Sequence, residues 1–189
     1  MDRAALHFLF SNLLKGFAGL GIILGMYLIG RRYFGPDDFA WLVGLADMPL
    51  VFYGIFFLSE TVIGIIPPEV YMLLAGKDSW PVYFEKLALL TFLSYLAGLL
   101  AYYLGRWAGH TGYGHQWLAS RKMQRYTQLY QQHGGLAIFL SAVSPLPFGL
   151  FSTLSGMFRF PLLHYAWIAA FRVIRFFVYG FIVWKTVQP

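Results

Sequence analysis

Arg172 and Arg175 stand in the middle of the stretch Phe160 to Trp184, which carries no other Asp, Glu, Lys or Arg. A spacing of three places them on one face of a helix. An arginine at the centre of a bilayer costs roughly 2.5–3.5 kcal/mol on insertion scales, so two of them require a partner. A phosphate is one such partner, because guanidinium forks bind its oxygens in pairs. A structural ion pair with Asp47, Glu60 or Glu69 is a second, and snorkelling to an interface is a third. Glu60 and Glu69 flank the dipeptide Pro67-Pro68. Burial favours the neutral form of a carboxyl, and a nearby guanidinium favours the charged form. A carboxylate balanced between the two can take up and release protons. Glu69 also reads as the acid of a helix start after Pro68, where it complements the positive helix end.

Other reactive side chains lead to weaker chemistry. Ser144 precedes Pro145, but no Gly-x-Ser-x-Gly elbow surrounds it and no His/Asp pairing accompanies it. A serine satisfying freed backbone groups is the simpler reading. His110, His115 and His133 fit no standard metal-binding spacing. There is no cysteine, so disulfides and thiolate metal sites are excluded. The expectation is a protein without metal, cofactor or enzymatic activity. The basic residues are scattered among apolar stretches, which argues against nucleic-acid binding. The cluster Arg121, Lys122 and Arg125 suits either anionic headgroups or a solvated positive loop.

The elements that position these residues must lie in a membrane. Of 189 residues, 59% are hydrophobic and 12% charged, against about 25% charged in soluble domains. Mean hydropathy is +0.60. A soluble fold of this size has nowhere to hide so much apolar surface. Spans of about 20 apolar residues are read at 8–30, 39–58, 82–105 and 161–184. An amphipathic surface helix is read at 107–133. Two apolar stretches, 61–76 and 135–156, are broken by proline and glycine: Gly64, Pro67 and Pro68 in the first, Pro145, Pro147 and Gly149 in the second. Proline removes a backbone donor. Irregular backbone at membrane depth survives only inside protein or beside a wet cavity. Both are therefore read as re-entrant hairpins, with a proline-kinked span as the alternative. The whole is one all-α integral membrane domain. Trp41, Trp80, Trp107 and Trp184 fall near segment ends, as interfacial anchors do.

The broken stretches repeat at an offset of 80 residues. Gly54 matches Gly134, Pro67 matches Pro147, Leu74 matches Leu154, Gly76 matches Gly156 and Pro81 matches Pro161. Interrupted segments at corresponding positions of two halves point to a transporter-type binding site. If 39–58 crosses and both hairpins return to their own side, the hairpins enter from opposite faces, which makes the repeats inverted. Arg31, Arg32, Arg106, Arg121, Lys122, Arg125 and Arg159 then share one face. The positive-inside rule makes that face cytoplasmic.

These residues resemble a known family. Ser59-Glu60, Pro67-Pro68-Glu69 and Leu74-Ala75-Gly76 are similar to the first motif of the DedA family, also called the VTT or SNARE-associated membrane protein family. Tyr102 to Gly109 resembles its Tyr-x-x-Gly-Arg segment. Gly134 to Phe139, Pro145-x-Pro147 and Ser155-Gly156-Met157 resemble its second motif. The resemblance spans roughly Phe57 to Gly180. It implies facing re-entrant hairpins and movement of phospholipids or polyprenyl phosphates between leaflets, with proton coupling in bacterial relatives. It also implies a bacterial inner membrane, and an oligomer is compatible with it. Where the family often carries arginines beside the second proline motif, this chain has Ala142 and Phe148. Arg172 and Arg175 are the residues expected to replace them. The expected binding set for a lipid headgroup phosphate is Arg172, Arg175, Glu60, Glu69, Pro67, Pro68, Pro145, Pro147, Gly76 and Gly156, with protons as co-substrate.

Overall fold

A computed structural model describes residues 18–26, 28–29, 48–62, 66–76, 78–112, 120–144 and 146–187, with the single residues 14, 44 and 116. Asp47, Gly64, His115, Pro145 and Trp41 lie outside the described residues. Every described element is helical: α1 (Pro49–Val62), α2 (Pro68–Ala75), α3 (Trp80–Ala108), α4 (Arg121–Val143), α5 (Phe148–Met157), α6 (Leu162–Ala169) and α7 (Phe171–Val187). Residues 18–26 form a further helical segment.

Two helices are long and apolar enough to cross a membrane: Trp80–Ala108, of 29 residues, and Leu162–Val187, of 26 residues. The latter comprises α6 and α7, with one tight turn at Ala170. These two run antiparallel. The Tyr83 hydroxyl donates to the Gly180 carbonyl at 2.9 Å, Tyr95 to Ala166 at 3.2 Å, and Tyr102 to Phe160 at 2.5 Å. Three tyrosines spaced along α3 thus fix its register against the C-terminal helix. Each hydroxyl finds an acceptor in the facing segment, as tyrosine requires away from water.

α1 and α2 form one helical hairpin. Pro49, Phe52 and Tyr53 from the start of α1 surround a small cavity with Ala75 and Lys86, so α2 ends where α1 begins. Tyr71 packs edge-on against both Phe52 and Phe56. The described part of the segment read at 39–58 lies in α1, which continues to Val62, and α2, in the segment read at 61–76, packs back against it. The start of the second arm is tied to the end of the first: the Ile66 N–H donates to Ser59 Oγ at 2.9 Å. The second hairpin is built from the latter part of α4 and from α5. The surface helix read at 107–133 begins at Arg121 and is joined to this arm through a kink at Gly134, whose backbone is not helical (φ 28°, ψ −97°). Only glycine adopts that conformation cheaply.

Each hairpin has its own core on a different half of α3. Phe56, Met72, Leu87 and Phe176 lie in one. Ile138, Phe151, Leu154 and Tyr165 lie in the other. The helix starts obey the 80-residue offset: Pro68 opens α2 after Pro67, and Phe148 opens α5 after Pro147.

Candidate functional site

The two proline breaks bring their charged neighbours to one place. Glu60 lies in the last turn of α1 and is 3% exposed; Glu69 lies in the first turn of α2 and is 5% exposed. Pro67 and Pro68 set the start of α2 with backbone that proline already prefers, and this aims Glu69 back toward the break. Arg172 and Arg175 come from the first turns of α7 and are 3% and 9% exposed.

Each arginine takes one glutamate. Arg172 Nη2 donates to Glu60 Oε2, and Arg175 Nη2 donates to Glu69 Oε1 at 3.0 Å. Arg175 Nη1 also donates to the Ser144 carbonyl at 2.6 Å, at the break of the second hairpin. Arg172 Nε donates to Ser94 Oγ at 2.5 Å, and that hydroxyl donates to Glu60 Oε2 at 2.6 Å. The guanidinium carbon of Arg172 lies 4.4 Å from the centroid of the Phe148 ring, and that of Arg175 lies 5.1 Å from the Tyr179 centroid. Arg172 Nη1 is buried and has no hydrogen-bond partner among the described residues. Ser144 Oγ is a second buried polar atom in that condition.

A cavity of about 260 Å³ opens between the breaks. Glu60, Glu69, Arg172, Arg175, Pro67, Pro68, Pro147 and Phe148 line it, and Leu20 and Ile23 of the 18–26 helix form an apolar side. Seven of the ten expected binding residues thus share one cavity. Pro145 lies outside the described residues. Gly76 and Gly156 are elsewhere. A β-carbon on Gly76 would lie 3.3 Å from Val187 and from the carbonyls of Met72 and Leu73. One on Gly156 would run into the Tyr102 carbonyl of α3. Both glycines let helices approach closely, a packing role common between membrane helices.

The ion-pair partners left open by the sequence are Glu60 for Arg172 and Glu69 for Arg175. Position 148, which has no arginine, holds a ring beneath the Arg172 guanidinium. Sequence reasoning missed Ser94 and the part played by Phe148. Ser94 had a faint signal: a small polar residue inside an uncharged apolar helix, beside Thr91, whose hydroxyl is spent on the Leu87 carbonyl. His110 is bound in a surface contact with Arg159 at 2.9 Å. Among the described residues no group of His, Asp and Glu is arranged to hold a metal.

No curated protein and no solved structure matches the chain. The family model of the VTT domain matches residues 66–185, which includes Glu69, both α7 arginines and the second hairpin. This match covers more than half the chain and agrees with the motifs around Pro67 and Pro147, and the protein is a member of the VTT-domain family.

Proposed function

We propose that this protein moves a lipid carrying a phosphate headgroup, a phospholipid or a polyprenyl phosphate, between the leaflets of a bacterial inner membrane, and that protons drive the exchange. One observation carries the reading: two arginines and two glutamates, all buried, share a cavity between two broken helices, and one arginine donor there is unspent. The α1–α2 and α4–α5 hairpins act in this reading as re-entrant elements, and the two halves as inverted repeats.

The chemistry follows from charge balance. Two cations and two anions make the empty site neutral, which a low-dielectric interior favours. A phosphate oxygen accepts first from Arg172 Nη1. Full engagement of the guanidinium requires Glu60 to release Nη2. Protonation of Glu60 removes its negative charge and lowers the cost of that release. The anion then enters with a proton, and the site stays close to neutral. Headgroup uptake is accordingly coupled to proton uptake.

With the full chain in vesicles containing headgroup-labelled phosphatidylglycerol or polyprenyl phosphate, label movement is followed by an impermeant quencher. Wild type moves label; Arg172→Ala and Arg175→Ala do not, at normal expression. Glu60→Gln or Glu69→Gln flattens the pH dependence. Normal export in both arginine variants sinks the proposal.

A structural or assembly role is the second reading, and a specific observation favours it: both guanidinium forks are largely spent on protein partners. In that case wild type moves no label and the arginine variants lose folded protein. Chemical change of the labelled lipid would instead indicate an enzyme.

A further inference from the structure

Phe148 is the first residue of α5 and is 3% exposed. Its ring faces the Arg172 guanidinium. Its far edge enters a space that α3 leaves by having glycine at position 98. A β-carbon on Gly98 would run into Cε1 and Cζ of the ring and would lie 3.0 Å from the Tyr165 hydroxyl. The ring therefore has little freedom to slide away from Arg172. Phe176 also lies near the guanidinium, at 5.2 Å, but it sits on the same helix as Arg172 and travels with it. Phe148 is the aromatic contact that comes from the other hairpin.

The remaining contacts of Arg172 complete a seat. Nε is held by Ser94 and Nη2 by Glu60, while Nη1 has no partner among the described residues. A desolvated cation over an aromatic face is held electrostatically without consuming a hydrogen-bond donor. A ring is thus suited to fix the guanidinium while leaving Nη1 available. Leucine has similar apolar character but no negative face.

We propose that Phe148, seated by Gly98, is a positioning residue that holds Arg172 with one donor free for a phosphate oxygen, and so sets the affinity for the phosphate headgroup. This rests on the translocase reading above. It also ties the second hairpin to the state of Arg172: displacement of α5 removes the ring from the cation.

The test uses the full chain in phosphatidylcholine vesicles with increasing labelled phosphatidylglycerol, which separates KM from kcat. Phe148→Leu raises KM about tenfold with kcat little changed, and Phe148→Trp or Phe148→Tyr keeps KM within about twofold of wild type. Gly98→Ala, by displacing the ring, raises KM in the same direction. An unchanged KM in Phe148→Leu, or equal impairment by leucine and both aromatic residues, overturns the proposal. A thermal-unfolding cycle in detergent with Phe148→Leu and Arg172→Met reads the contact without transport. Coupling between the two sites supports the seat, and additive effects overturn it. Coupling in a protein that moves no label leaves the seat standing while the translocase reading fails.

Discussion

Glu60 and Arg172 are each acceptable in the interior because the other is there. Removing one partner of a buried ion pair typically costs about 3–5 kcal/mol, because the other charge is left uncompensated. Glu60→Leu is therefore expected to lower thermal stability in detergent strongly. The double variant Glu60→Leu with Arg172→Met should recover much of the loss. Additive losses would show that the two charges do not depend on each other. Ser94→Ala is a milder case. It removes the hydroxyl that accepts from Arg172 Nε and donates to Glu60, and a hydrogen bond to a charged group is worth about 1.5–3 kcal/mol. Unfolding of Ser94→Ala should shift by that order, and Ser94→Thr, which restores a hydroxyl, should shift less. The arginine pair was legible in the sequence because charges in an apolar helix are conspicuous. Its partners were legible only as a set of three acids, since spacing along the chain cannot say which carboxylate returns to which arginine.

At the level of the helices, close packing of α3 and α5 carries the site. Gly105 and Gly156 allow this approach: β-carbons on them would meet the backbone of Thr153 and Tyr102. Backbone atoms cannot move aside as a flexible side chain can. Overpacking usually costs about 1–3 kcal/mol, and Gly156→Val should meet or exceed that, giving a smaller yield of monodisperse protein on gel filtration. A Gly156→Val protein that runs and unfolds like wild type would contradict this packing. The proline breaks were readable because proline forbids a regular helix interior. The arms were harder to bound. The segment 39–58 is apolar enough to cross a membrane on composition, yet its latter part lies in α1, a helix that ends at Val62 and packs against α2. Apolar helices buried by protein and by lipid have the same residue pattern, so only the fold-back onto α2 separates them. The kink at Gly134 falls where the polar half of α4 gives way to its apolar half, which is why the two read as separate elements.

Across the whole molecule, the topology expected from counting spans depends on whether the α1–α2 pair crosses the bilayer. If the pair does not cross, Lys86 and Lys185 fall on one face and Arg106 and Arg159 on the other. The positive-inside count over these four residues is balanced, and orientation must be measured. The chain has no cysteine, which makes single-cysteine labelling clean. Met48→Cys and Ser79→Cys should react with an impermeant maleimide from one face, and His110→Cys from the other. Labelling of Met48→Cys and Ser79→Cys from opposite faces would show that α1 and α2 together cross the bilayer.

Composition by itself determined that the chain is a membrane protein, because apolar surface on this scale must be covered by lipid. Local chemistry determined where its helices break, because proline and glycine act on the backbone at their own positions. The 80-residue offset and the motifs around Pro67 and Pro147 were also in the sequence, and so was membership of the VTT-domain family. Tertiary structure decided what the charges face. It joined Glu60 to Arg172 and Glu69 to Arg175 across more than 100 residues, placed Ser94 between the first pair, and set Phe148 beneath Arg172. Those pairings depend on where three helices and two hairpins cross, and a crossing is fixed by side-chain packing that no one-dimensional spacing records.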